Sequence, residues 1–301
     1  MQDFTEDNLT QVVCEEYGSK TTDERLRVVV TSLIQHLHAF IKDVELTEAE
    51  WYRAVEFLTA TGQVCNEERQ EFVLLSDVLG VSMLVDAINN RRSGLGTENT
   101  VLGPFHVSGA PELPMGANIM LKDIGGTPAF VQGRITDQDG TPLEGAVLDV
   151  WQASLRGFYD VQDPEVPQWN LRGKFTTGAD GRYWFATELP GPYPIPTDGP
   201  VGELLRACGR HPMRPGHLHF IITAEGHDRL TTHIFTAGDE YLESDSVFGT
   251  KSSLIGEYET CHDEEMAEKY GLSVPFQMLD FDFGLMRSVV QEPAVASPTV
   301  A

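Results

Sequence analysis

The sequence predicts an α+β protein: an N-terminal helical region over residues 1–100, then an antiparallel β-sandwich over residues 101–301. Three observations carry that reading. Apolar residues recur at helical spacing as far as about residue 92. From Phe130 the period falls to two, in short runs bounded by Gly and Asp turns. No helical crossovers separate those runs, which favours antiparallel pairing over a parallel sheet.

The first 20 or so residues are polar and open as a short arm or helix. Thr21-Thr22-Asp23-Glu24 reads as a capping box, and Leu26, Val29, Val30, Leu33, Leu37, Phe40 and Ile41 follow on one helical face. Thr47 with Glu50 caps a second helix through Trp51, Ala54, Val55 and Leu58, ending near Thr61-Gly62. A third is expected over residues 66–92 through Phe72, Leu75, Leu79, Met83 and Val85. Such apolar faces need a partner, either the sandwich or a second subunit. The stretch from Gly94 to about Thr127, rich in Gly and Pro, reads as a wrapping linker.

Strands are expected at Phe130–Thr136, Ala146–Trp151, Gly173–Thr176, Tyr183–Phe185, Phe220–Ile222 and Leu230–Ile234, with Asp139-Gly140 and Asp180-Gly181 as turns. Residues 257–270 read as a helix outside the sandwich, 276–283 as a last strand and 290–301 as a mobile tail.

With 46 acidic against 21 basic side chains, the net charge of -25 opposes binding to nucleic-acid phosphates or an anionic bilayer. The start, MQDFTEDNLTQVV, has no basic segment followed by an apolar run, and no run of about 18 apolar residues occurs. A cytoplasmic protein is expected, with small molecules or further copies of itself as partners. Cys14, Cys65, Cys208 and Cys261 are scattered, as reduced thiols rather than a disulfide framework.

The chemistry gathers around Arg214-Pro215-Gly216-His217-Leu218-His219-Phe220. In a strand, alternation puts His217 and His219 on one side and Leu218 on the other. An isolated H-x-H is most often an ordinary pair of strand histidines. Upstream, however, Gly157-Phe158-Tyr159-Asp160 and Pro190-Gly191-Pro192-Tyr193-Pro194 each set a tyrosine among turn-forming residues, where a phenol can be aimed away from a packed core. Tyr159, Tyr193, His217 and His219 are thus four candidate metal ligands, a phenol and imidazole set that suits a hard iron(III) ion.

DVWQASLRGFYD, LRGKFTTGADGRYWF, LPGPYPIPTDGPVGELL and GRHPMRPGHLHF stand in order between Asp149 and Phe220. Together they resemble the catalytic half of the intradiol ring-cleaving dioxygenases, non-haem iron(III) enzymes that open catecholic rings between their two hydroxyls. The resemblance implies Tyr159 and His217 as equatorial ligands and Tyr193 and His219 as axial ones, with Tyr193 also taking a substrate proton. It implies that Arg214 stabilises the carbanion-like ring during oxygen attack, and that both oxygen atoms end in the product. Val101, Gly103 and Phe105, in a V-x-G-P-F segment, would approach the substrate, as would Leu74, Asp77 and Ile195. It further implies a homodimer through the N-terminal helices, with a lipid between the protomers. The usual catechol-cleaving pattern has glutamine where this chain has His233; that histidine is assigned to support of the site, not to a fifth ligand position.

GFYDVQDP, PYPIPTDGPVG and LTTHIF are most similar to the branch that cleaves hydroxyquinol, benzene-1,2,4-triol, to 3-hydroxy-cis,cis-muconate and maleylacetate. Asp77 would then accept a hydrogen bond from the extra hydroxyl, its plain alternative being a helix-stabilising carboxylate. Catechol or a chlorocatechol is the runner-up substrate. A noncatalytic sandwich binding a phenol or a structural zinc is the reading from another class, but its cysteines lie far from the H-x-H pair. A serine hydrolase lacks its G-x-S-x-G.

Overall fold

The computed structural model describes residues 3–66 and 69–288. The expected mobile tail over 290–301 lies outside them. The chain divides into two compact units, residues up to Gln63 and residues from Val64 onward.

The first unit is helical: α1 (Leu9–Lys20), α2 (Glu24–Asp43) and α3 (Glu48–Gln63). The N-cap of α2 is Asp23, whose carboxylate accepts from the Leu26 N–H at 2.7 Å. At α3 the reciprocal box forms as read: Thr47 Oγ1 accepts from the Glu50 N–H and Glu50 Oε2 from the Thr47 N–H, at 3.3 and 3.0 Å. Leu26, Val29, Leu33, Leu37 and Phe40 of α2 stay exposed in the single chain.

The second unit opens with α4 (Glu71–Val78) and α5 (Val81–Asn89). These replace the single helix expected over 66–92, because Gly80 takes a left-handed conformation that ends one helix and starts the next. Then come β1 (Pro128–Asp137), β2 (Val147–Gln152), β3 (Arg172–Thr176), β4 (Arg182–Glu188), β5 (Tyr193–Pro194) and α6 (Pro200–Ala207). The chain continues with β6 (Met213–Arg214), β7 (His217–Thr223), β8 (Leu230–Thr236), β9 (Ile255–Gly256), β10 (Tyr258–Cys261), α7 (Glu264–Tyr270), β11 (Phe276–Asp280) and β12 (Phe283–Leu285).

The helix expected over 257–270 is therefore a strand followed by a shorter helix, because β10 pairs with β11. The last strand breaks in two where Asp282 accepts the Arg134 N–H at 2.7 Å and so leaves the ladder.

One sheet runs β10-β11-β1-β4, with β12 beside the far half of β1; the other runs β3-β2-β7-β8-β9. Pairing is mostly antiparallel, as expected; β1 with β11, β1 with β12 and β8 with β9 are parallel, each joined through a long excursion rather than a hairpin. Val131 and Phe185 from the first sheet and Leu148, Val150, Leu218, Phe220 and Ile234 from the second fill one core between the two layers. The architecture is a β-sandwich. Among the described residues no helix is long and apolar enough to cross a membrane.

Candidate metal centre

Strand alternation places the site. Leu218, Phe220 and Ile222 of β7 point into the sandwich core, so His217 and His219 project from the opposite face of the same sheet. On that face Trp151 of β2 lies opposite His219, and His219 opposite His233 of β8. The Trp151 ring stacks on His219 at 4.6 Å with the planes 11° apart, which holds the imidazole upright.

Two loops bring the tyrosines over this row. Tyr193 heads β5 and is paired in register with Arg214 of β6, three residues before His217. The Tyr159 loop closes against it through Gly157, whose φ is +79° and where a Cβ would sit 2.9 Å from the Pro192 carbonyl and 3.1 Å from Tyr193 Cβ. Asp160 and Arg172 pin that loop from behind, with Arg172 Nε donating to Asp160 Oδ1 at 2.6 Å and Nη1 to the Phe105 carbonyl at 2.8 Å.

The structure thus brings Tyr159, Tyr193, His217, His219, His233 and Arg214 together, none more than 3% exposed. Tyr159 Oη is 2.7 Å from His219 Nε2, and His219 Nε2 is 3.1 Å from His217 Nε2. Arg214 Nη1 lies 3.3 Å from Tyr193 Oη and 3.4 Å from His217 Nε2. Ring nitrogens of His217, His219 and His233 all fall within 4.8 Å of one another.

The proton inventory of this cluster fits a cation. His217 Nδ1 is 2.7 Å from the Pro215 carbonyl, which can only accept, so the proton is on Nδ1 and Nε2 presents a bare lone pair inward. His219 Nδ1 and both nitrogens of His233 are buried without a hydrogen-bond partner among the described residues. Burial, then the Arg214 charge, pulls the His217 pKa down to about 3, and burial with the neighbouring imidazoles holds His219 well below its ordinary value. All these rings are neutral donors at pH 7. Burial, then the neighbouring Tyr193, pushes the Tyr159 phenol well above its ordinary value, so a phenolate there requires a positive ion beside it. Two imidazoles and two phenols converging in a buried site match the donor preference of iron.

Around this centre, Phe105 stacks on Tyr159 at 4.5 Å, and a Cβ on Gly103 would meet His219 Cε1 at 3.2 Å. Val101 lies two residues before Gly103, half-buried. On the Arg214 side, Leu74 of α4 packs with Ile195, Val78 and Val247. Asp77 is half-buried; burial raises its pKa, while the Ser82 hydroxyl and then the Arg214 charge pull it down. His106 bonds to Asp149 at 3.3 Å and packs edge-on against Trp151 at 4.8 Å, and His211 accepts from the Met213 N–H at 3.1 Å.

Three residues not picked out as functional from the sequence support this site: Trp151 behind His219, Arg172 behind Tyr159, and Asp245, which pairs with Arg214.

Comparison with known proteins identifies the family. A family model described as dioxygenase matches residues 102–286, well over half of the chain, and one described as catechol dioxygenase N terminus matches residues 23–96. The chain belongs to the intradiol ring-cleavage dioxygenases. It is 54% identical over 267 residues to the hydroxyquinol 1,2-dioxygenase of Rhizobium sp. (strain MTP-10005), covering 88% of this chain and 90% of that protein. It is 51% identical to the 6-chlorohydroxyquinol 1,2-dioxygenase of Cupriavidus pinatubonensis, covering 86% and 93%. The solved structure of a hydroxyquinol 1,2-dioxygenase from Pseudomonas putida DLL-E4 superposes with a TM-score of 0.88 at 47% identity, covering 94% of this chain and 99% of that one. The dioxygenase is of an iron-dependent family, and its buried histidine cluster is of the kind that holds such an ion.

Proposed function

We propose that this dioxygenase cleaves hydroxyquinol, benzene-1,2,4-triol, between its adjacent hydroxyls with O2, giving 3-hydroxy-cis,cis-muconate and its keto form, maleylacetate. The carrying observation is the buried convergence of Tyr159, Tyr193, His217 and His219 beside Arg214. The names of the relatives support the choice of a triol over a plain catechol.

In this reading Tyr159, Tyr193, His217 and His219 hold the metal. Bound iron(III) supplies the positive charge that keeps both phenols ionised and that draws electron density from a chelated ring, so that the ring reacts with O2. Tyr193, whose oxygen already lies 3.3 Å from Arg214 Nη1, takes up a proton from a substrate hydroxyl. The Arg214 guanidinium, itself buried, then faces the ring carbon where negative charge builds. His233 backs His217 and His219 by packing, its ring centre 4.5 and 4.3 Å from theirs. Leu74, Ile195, Val101, Gly103 and Phe105 form the walls, and Asp77 accepts the hydrogen bond of the third hydroxyl.

The same reading takes residues 1–100 as helical cover and 101–301 as the catalytic domain, in a cytoplasmic protein. The exposed apolar face of α2 supports a homodimer with a lipid at its interface; a monomer by sedimentation would contradict that part.

The function is tested with 18O2 and benzene-1,2,4-triol, corrected for autoxidation. The expected product is a dicarboxylic acid carrying both labelled atoms. A semialdehyde, or a quinone formed with hydrogen peroxide, would contradict intradiol cleavage.

A further inference from the structure

We propose that Asp245, with the loop Asp245–Gly249, is a positioning residue for ring cleavage, acting through Arg214; the proposal rests on the function given above. Arg214 is a buried cation whose planar group has more than one N–H edge, and something must decide which edge faces the reaction. Its Nε donates to Asp245 Oδ1 at 3.1 Å and its Nη2 to Asp245 Oδ2 at 3.3 Å, a two-point grip on one side of the planar group. That grip leaves Nη1 alone towards Tyr193 Oη and His217 Nε2.

The carboxylate is itself fixed from the other side. The Val247 N–H donates to Oδ1 at 3.3 Å and the Gly249 N–H to Oδ2 at 3.0 Å. For the loop to bring both amides onto one carboxylate, Phe248 adopts φ +58°, the left-handed region that side chains avoid. Such a conformation persists only where its surroundings over-determine it. Here they do: the Arg210 guanidinium lies 4.5 Å from the centre of the Phe248 ring. The same guanidinium donates to the Val78 carbonyl at 2.9 Å and the Ser246 carbonyl at 3.2 Å, stapling the loop to the end of α4 that carries Asp77.

Burial alone would raise the Asp245 carboxyl, but the Arg214 charge and these donors outweigh it and hold it below the ordinary carboxylate range. Asp245 is therefore an anion whose side-chain hydrogen bonds go to Arg214 and to its own loop, and it sets the direction of the cation that reaches Tyr193 and His217.

The test is Asp245→Asn, which keeps size and one acceptor while removing the charge. Iron content, resting colour and anaerobic triol affinity should stay within about 2-fold of the parent, while turnover with O2 falls roughly 10- to 100-fold. In an Arg214→Gln background, Asp245→Asn should lower turnover less than about 2-fold further, because both changes remove one device. Thermal unfolding of the metal-free proteins should show the same non-additivity. Parental turnover in Asp245→Asn, or losses that multiply in the double variant, would overturn the proposal. If Asp245→Asn does not fold, Asp245→Glu carries the test: it keeps the charge but displaces the grip, and equal losses in triol binding and turnover would overturn it. An inert parent would overturn the proposed function and this inference together; an active parent with an equally active variant overturns this inference alone.

Discussion

Replacing Asp77 separates the triol from the catechol. Its carboxylate is half-buried on α4, and only the side chain changes in Asp77→Asn; the bonds that Leu79 and Gly80 make to the Asp77 carbonyl remain. A hydrogen bond to an ionised partner contributes about 1.5–3 kcal/mol, so Asp77→Ala, which removes the acceptor, should cost roughly 10- to 100-fold in kcat/KM, and Asp77→Asn, which keeps a neutral acceptor, a smaller part of that. That loss applies only to a substrate with the third hydroxyl. Catechol lacks it, and the remaining effect is a change in the field at Arg214, which Asp77 partly offsets; for catechol we expect a change of no more than about 3-fold. Folding should not suffer, because burial already disfavours this carboxylate. Steady-state kcat/KM is measured for both substrates in the parent, Asp77→Asn and Asp77→Ala. An equal loss on both substrates, or a loss confined to catechol, would refute the assignment and leave Asp77 a structural residue.

Tyr159→Phe keeps the ring that stacks on Phe105 and removes only the oxygen 2.7 Å from His219; the variant should fold, lose most of its iron and bleach, and full iron by metal analysis would contradict the ligand set. Gly103→Ala puts a Cβ into a left-handed residue and 3.2 Å from the His219 ring, at a backbone cost of about 1–2 kcal/mol; lower thermal stability and lower turnover are expected, and parental values of both would argue against close packing there. Acid should weaken the metal-free protein. His217, at about 3, and His219 and His233, well below their ordinary value, are all depressed by burial first. Below about pH 6.5 the unfolded chain therefore binds protons that the folded one refuses, and stability falls by up to about 1.4 kcal/mol per pH unit for each ring. Denaturant midpoints that stay flat or rise from pH 7 to pH 5 would contradict buried neutral histidines.

Much of the site was legible because it is local. The alternation of His217, Leu218 and His219 fixes which face carries the imidazoles, and the glycines and prolines around Tyr159 and Tyr193 mark turns that can aim a phenol. The helices failed where a local pattern was continuous but the backbone was not: apolar spacing runs through Gly80 unbroken, and only its left-handed conformation separates α4 from α5. The stretch over 257–270 has helical spacing throughout, yet its first part is claimed by pairing with β11, a non-local partner. Asp245 was out of reach for the same reason. It sits in an acidic stretch with no local motif, and its partner Arg214 lies 31 residues away in the chain.

The most direct test of the account is a visible absorption spectrum of the purified protein with metal analysis, before and after benzene-1,2,4-triol is added without oxygen. A phenolate-ligated iron(III) centre predicts bound iron and a broad tyrosinate-to-iron band that moves to longer wavelength when the triol chelates. A colourless protein, zinc-loaded or metal-free, that gives no band and no triol response after iron reconstitution would contradict it.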